Sequence, residues 1–168
     1  MYYNEKQMIK VAHLTQYYSL FKGKRVVDIG CNIGVVTEII AQYAEKVYGI
    51  EKDERWIREP QKDNVEFVNS SMGDFLIETD IDVNAAYASC VLYYLTDEEI
   101  DLIRTKLLPK CGLVIFVSYD IKPDLGNNRL MLSKWENINA FLKECGFLTE
   151  VKDKDEKWAT VIGRKNPN

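Results

Sequence analysis

The stretch Val26-Val27-Asp28-Ile29-Gly30-Cys31-Asn32-Ile33-Gly34 holds the residue types best suited to ligand chemistry in this sequence. A glycine turn between a β-branched run and an apolar-periodic stretch lets a ligand approach the main chain without meeting a Cβ. The start of the following helix adds inward-pointing N–H groups. A nucleotide-like ligand is implied. A dinucleotide site calls for G-x-G-x-x-G, whereas Gly30 and Gly34 lie four apart with no third glycine following, and the phosphate-loop pattern G-x-x-x-x-G-K-[ST] is missing. Metal and thiol chemistry have little to work with. Cys31, Cys90, Cys111 and Cys145 show no C-x-x-C spacing, and His13 is the one histidine, so buried thiols are expected, with no disulfide framework and no metal site. Cys90 as a nucleophile would lack a base, because His13 falls in the predicted N-terminal helix.

The elements around this segment alternate. Asn4 and Gln7 resemble a capping box, and apolar residues recur at Met8, Val11, Ala12, Leu14, Tyr18 and Phe21, which predicts a helix stopped at Gly23. Arg25 to Ile29 reads as a strand, Gly30 to Gly34 as a turn, and Val35 to Tyr43 as a helix. Further strands are predicted at Val47 to Glu51, Val65 to Val68, Val83 to Ser89 and Gly112 to Ser118, with a short connection between Gly73 and Asp80. Thr96-Asp97-Glu98-Glu99 is a capping box for a helix whose Ile100, Ile103 and Leu107 share a face and which Pro109 ends. A last helix opens at Ser133-Lys134-Trp135-Glu136, turns Trp135, Ile138, Phe141, Leu142 and Cys145 inward, and stops at Gly146. Two strands, Phe147 to Val151 and Trp158 to Gly163, close the chain around the charged turn Lys152 to Lys157. The expected fold is α/β, a doubly wound Rossmann-like sheet of about seven strands, mostly parallel with an antiparallel C-terminal hairpin. Its ligand should sit at the carboxyl ends of the strands.

The glycine segment resembles the first motif of class I S-adenosylmethionine-dependent methyltransferases, acidic-x-Gly-x-Gly-x-Gly, with Asp28, Gly30 and Gly34 matching and Asn32 in the middle glycine's place. Asn tolerates positive φ better than other non-glycine residues. The resemblance covers nearly the whole chain. It implies that S-adenosylmethionine is the cofactor, leaving as S-adenosylhomocysteine, and that Glu51, seventeen residues after Gly34 and followed by Lys52, accepts hydrogen bonds from both ribose hydroxyls. Asn69-Ser70-Ser71-Met72 stands where the family has Gly-Asp-Ala. Ser71 thus replaces the acid used on adenine, and Met72 is the firmer match through its backbone N–H. Cys31 carries over as a loop residue whose backbone matters more than its thiol, and Ser89 as the end of the fourth strand. Asp28 either holds the turn by accepting loop N–H bonds or meets the ligand. Glu51 could otherwise be a solvated strand-end charge.

On the acceptor side the resemblance names no catalytic group. Tyr93 and Tyr94 either bridge core and solvent or flank a sulfonium and its acceptor, as do Tyr2-Tyr3 and Tyr17-Tyr18. Asp120 either caps the turn after the fifth sheet strand or acts as an acceptor-side base. The Asn/Asp-Pro-Pro-aromatic motif of amino-methyltransferases is absent, since the fourth strand ends Ala88-Ser89-Cys90-Val91. With 168 residues the chain is expected to be a single methyltransferase-like domain, residues 1–23 forming the N-terminal helix and 24–168 the core. Lys and Arg total 22 against 26 acids, for a net charge of -4, and the basic residues are scattered. A small-molecule acceptor methylated on oxygen or nitrogen is therefore expected, and nucleic acid is disfavoured by charge. No window approaches about eighteen apolar residues, and the start Met-Tyr-Tyr-Asn-Glu-Lys lacks signal-peptide order, so a soluble, cytoplasmic monomer or homodimer without membrane contact is expected. The alternatives are an RNA or DNA methyltransferase and a non-catalytic S-adenosylmethionine-binding subunit that needs a partner.

Overall fold

In the computed structural model, which describes residues 8, 11, 12, 15–119, 132–154 and 158–166, β-branched and small apolar runs form the strands. Arg25–Ile29 (β1), Lys46–Glu51 (β2), Val65–Asn69 (β3), Ala85–Ser89 (β4) and Leu113–Tyr119 (β5) pair in parallel. Leu148–Lys152 (β6) and Trp158–Arg164 (β7) pair antiparallel, giving the order β3-β2-β1-β4-β5-β7-β6. The strand order reverses between β1 and β4, so a crevice opens at their carboxyl ends. The expected doubly wound sheet with an antiparallel hairpin is what forms.

Helices Val35–Ile40 (α1), Met72–Glu78 (α2), Asp97–Leu102 (α3) and Trp135–Glu144 (α4) cover both faces. One core joins Val27, Ile29, Val114 and Phe116 of the sheet to Phe75 of α2, Phe141 of α4, and Ile103 and Leu107 of the turn that extends α3. The other joins Val26, Tyr87, Ile115 and Val117 to Phe21, Val36 and Ile40. Burial on both faces explains why these strands read as continuous apolar runs and do not alternate.

Several boundaries differ from expectation, each for a local reason. The first crossover helix ends at Ile40 and not Tyr43, because Asn64 Nδ2 donates to the Ala41 and Ala44 carbonyls and so replaces the next helical turn. β4 starts at Ala85 and not Val83, after Asn84 has exchanged hydrogen bonds with Arg25 at 2.9 and 3.0 Å. The connection after Met72 is not a bare loop but α2: Ser71 Oγ accepts from the Asp74 N–H at 3.0 Å and caps it. The Ser71-x-x-Asp74 pattern was the available signal. The Thr96–Glu99 capping box forms as expected, but the helix widens to a π-helical turn over Ile103–Leu107. The N-cap of α4 falls on Lys134, while Ser133 is buried. At the N-terminus Met8, Val11, Ala12 and Thr15 are helical and a 3-10 turn spans Tyr18–Phe21, whereas Asn4, Gln7, His13 and Leu14 lie outside the described residues. The Tyr17 hydroxyl donates to Asp153 and ties this segment to the β6–β7 turn. No helix among the described residues is long and apolar enough to cross a membrane.

Candidate active site

The turn after β1 is left-handed at three points, with φ of 67° at Gly30, 54° at Asn32 and 74° at Gly34. Asn32 thus does what the middle glycine would do, and its side-chain oxygen accepts the Ile33 N–H at 2.8 Å. Backbone pairing fixes the rest. The Cys31 N–H donates to the Ile50 carbonyl, the Gly34 N–H to the Cys31 carbonyl, and the Asn32 N–H to Glu51 Oε2, each at 3.0 Å. Asp28 is buried beneath the turn and accepts the Thr37 hydroxyl of α1 at 2.7 Å. Cys31 is buried as well, and burial pushes its thiol well above the usual range.

Glu51, half-buried at the end of β2, accepts two backbone N–H bonds, from Asn32 and, through Oε1, from Asp53 at 3.0 Å. This second task, closing the turn, is set by the approach of the end of β2 to the Gly30–Gly34 loop and is not visible in the chain order. An ionised carboxylate has about four lone-pair directions, so acceptor capacity remains for a vicinal diol. Asn69 Nδ2 donates to the Glu51 and Lys52 carbonyls at 3.0 and 3.1 Å, which steadies the strand end, while the Lys52 side chain is exposed. Ser71 is occupied as the cap of α2, its hydroxyl 2.7 Å from Asp74 Oδ2. Met72 packs its side chain into the core, leaving its backbone N–H, on the first residue of α2, as the group able to meet a ligand.

Across the crevice, Ser89 is buried at the end of β4 and Cys90 follows with φ 55°. Val91 then packs on Gly30, and Tyr93 and Tyr94 lie in the turn Leu92–Tyr94 with ring centroids 4.4 Å apart. Tyr119, at the end of β5, packs on Trp158, at the start of β7, also at 4.4 Å. This second pair is not visible in the chain order, because the β5–β7 register is what makes Tyr119 and Trp158 neighbours. Tyr93 is buried and Tyr94 exposed. Burial, then Cys90 and Tyr94 nearby, hold the Tyr93 phenol well above its ordinary value, so near neutral pH it offers a proton and does not take one. Asp120 lies outside the described residues. The described residues contain no group of three or more His, Cys, Asp or Glu placed to hold a metal. The Cys90 thiol has Ser89 Oγ at 3.7 Å. We expect Cys90→Ser to keep kcat/KM within about threefold, as for a thiol without a covalent role; a folded variant that no longer turned over would establish one.

The donor set fits S-adenosylmethionine: a carboxylate with spare acceptor capacity stands beside a left-handed turn whose glycines admit close approach. The sheet order, the turn after β1 and the acid closing β2 define an S-adenosylmethionine-dependent methyltransferase of Rossmann-like fold. Residues 3–152 match the family model described as FtsJ-like methyltransferase, and the chain belongs to that family. Its fold is shared with the N-methyltransferase NodS from Bradyrhizobium japonicum WM9, at a TM-score of 0.75 and 17% identity over 98% of each chain. Magnesium protoporphyrin IX methyltransferase (ChlM) from Synechocystis PCC 6803, solved with bound SAM, aligns at a TM-score of 0.66 and 17% identity, covering 99% of this chain and 86% of that one. A SAM-dependent methyltransferase from Aquifex aeolicus aligns at 0.65 and 14% identity, covering 96% and 98%. No curated protein sequence matches the chain.

Proposed function

We propose that this enzyme methylates an oxygen or nitrogen of a small molecule, seated against the tyrosines at the carboxyl ends of β4 and β5. In this reading Gly30, Cys31, Asn32 and Gly34 form the cofactor cradle over Asp28, and Glu51 holds the ribose. Lys52, the Ser71–Met72 backbone and Ser89 complete the rim. S-Adenosylmethionine supplies an already activated methyl group. The chain's own work is then to orient the acceptor, to exclude water with Tyr93, Tyr119 and Trp158, and to donate a hydrogen bond from the Tyr93 phenol.

The observation that carries the small-molecule reading is the chemistry of those strand ends. Among the described residues at the ends of β4 and β5, Ser89 to Leu95, Tyr119 and Trp158 offer hydroxyls and aromatic rings and no cation, and Lys152, which ends β6 on that side, is paired with Glu150. Arg25, Lys46, Lys110 and Arg164 lie at the opposite end of the sheet, each paired with an acid at 2.6–3.6 Å. A polyanion acceptor draws on unpaired cations around the site. One observation favours a second reading, an RNA acceptor, because FtsJ-like methyltransferases usually act on RNA.

Salt separates the two. Incubation with radiolabelled S-adenosylmethionine and a fractionated cell extract should label the low-molecular-weight fraction, with apparent affinity nearly flat from low to moderate ionic strength. Label entering an RNA fraction alone, with affinity falling steeply over the same range, would replace the small-molecule reading by the RNA one.

A further inference from the structure

The connection from β2 to β3 carries no crossover helix, only the 3-10 turn Glu54–Trp56, yet it reaches back to the turn after β1 through one side chain. Arg58 Nε donates to the Ile33 carbonyl at 2.6 Å, Nη2 lies 3.7 Å from Glu38 Oε1, and the guanidinium carbon sits 5.5 Å from the Phe67 ring centroid. Each contact is itself anchored. Glu38 belongs to α1, is buried, and accepts the Gln61 N–H at 2.7 Å through Oε1. Phe67 fills the space beside Gly34 and Gly49, where an added Cβ would lie 2.2 and 2.8 Å from its ring.

Ile33 stands between the two left-handed residues Asn32 and Gly34. The Cys31 carbonyl accepts from Gly34 and the Gly34 carbonyl from Glu38, both local backbone bonds. The Ile33 carbonyl instead accepts from a charged side chain twenty-five residues away in sequence. We infer that Arg58 is a positioning residue for the cofactor, clamping the Ile33 carbonyl so that the Asn32–Gly34 turn is held ready for S-adenosylmethionine. The inference rests on the reading of this turn and Glu51 as the cofactor site. The guanidinium is needed for its fork, since Nε and Nη2 address the carbonyl and the carboxylate at once while its carbon stays over the Phe67 ring. A lysine ammonium, a single point charge, cannot do all three.

The test measures the affinity of the unliganded protein for S-adenosylhomocysteine by calorimetry, together with its melting temperature and the steady-state constants. Arg58→Met keeps the stem over Phe67 and removes both donors. We expect about tenfold weaker binding, the scale for a lost hydrogen bond to a charged group. KM for S-adenosylmethionine should rise in step, with kcat at saturation unchanged. Arg58→Lys keeps a cation beside Glu38 and should hold the melting temperature near that of the unaltered protein while still losing most of the tenfold, which a merely structural role would not produce. If Arg58→Met does not fold, Arg58→Lys carries the test, and failure of that variant to fold overturns the assignment in favour of a core role. Unaltered affinity in a folded Arg58 variant also overturns it. Glu51→Ala separates the levels: affinity lost there but kept in the Arg58 variants refutes the clamp alone, whereas affinity kept in both refutes the cofactor site.

Discussion

Gly30→Val should bind S-adenosylhomocysteine at least a hundredfold more weakly than the unaltered protein and should melt at a lower temperature. Two costs add at this position. Its φ of 67° lies in the left-handed region, where a residue bearing a Cβ pays roughly 1–2 kcal/mol and a β-branched one more. The new Cβ would also stand 2.4 Å from Val91 Cγ2 and 3.1 Å from Val91 Cβ, so something must shift. Rotating the Val91 side chain leaves its Cβ still 3.1 Å away, and shifting its backbone disturbs the bond that its carbonyl accepts from the Tyr94 N–H at 2.8 Å, in the turn that carries Tyr93 and Tyr94. One substitution therefore disturbs both walls of the crevice. Gly112→Ala is the matched control, since nothing lies within 4 Å of an added Cβ there and its φ is ordinary, and both affinity and melting temperature should stay put. Calorimetry on the two variants, with melting followed by circular dichroism, reads both effects. Near-normal affinity in Gly30→Val would remove the turn after β1 from the cofactor site.

The turn and the sheet were legible because local chemistry sets them. Gly30, Asn32 and Gly34 are residue types that tolerate positive φ, and each adopts it. The parallel strands were legible because burial on both faces leaves continuous apolar runs. Contacts set by register or by long loops were not legible. Tyr119 meets Trp158 only through the antiparallel β5–β7 ladder, and Arg58 meets Ile33 only because the β2–β3 connection folds back over the glycine turn. Helix α2 was a different kind of miss. Its cap, Ser71 with Asp74, is plain in the sequence, but the resemblance puts an adenine-binding acid at Ser71, which hides its part as an N-cap. The structure commits its hydroxyl to the helix. Glu51 shows the converse: the resemblance singles it out for the ribose, while its second duty, accepting the Asn32 and Asp53 N–H groups, is set by the fold.

That second duty shapes the effect expected of Glu51→Ala. As the proposed ribose acid, Glu51 offers acceptors to two hydroxyls, and losing a hydrogen bond to a charged group costs about 1.5–3 kcal/mol, or roughly a ten- to hundredfold loss of affinity. Its removal also strips the partners from the Asn32 and Asp53 N–H groups, one of which is part of the left-handed turn. A fall in affinity could come from either source, and a chemical cycle distinguishes them. An S-adenosylhomocysteine analogue lacking the 2′-hydroxyl should bind the unaltered protein less tightly than the parent compound does, because one acceptor loses its donor. Against Glu51→Ala, the analogue and the parent should bind almost alike, since the group that told them apart is gone. If the variant still discriminates between them as well as the unaltered protein does, the ribose lies elsewhere and Glu51 serves the turn alone. Glu51→Gln should fall between the two, because one side-chain oxygen still accepts while the amide presents a donor to a backbone N–H. At saturating cofactor kcat should hold in all three proteins, as the ribose contacts are made equally before and during the transfer.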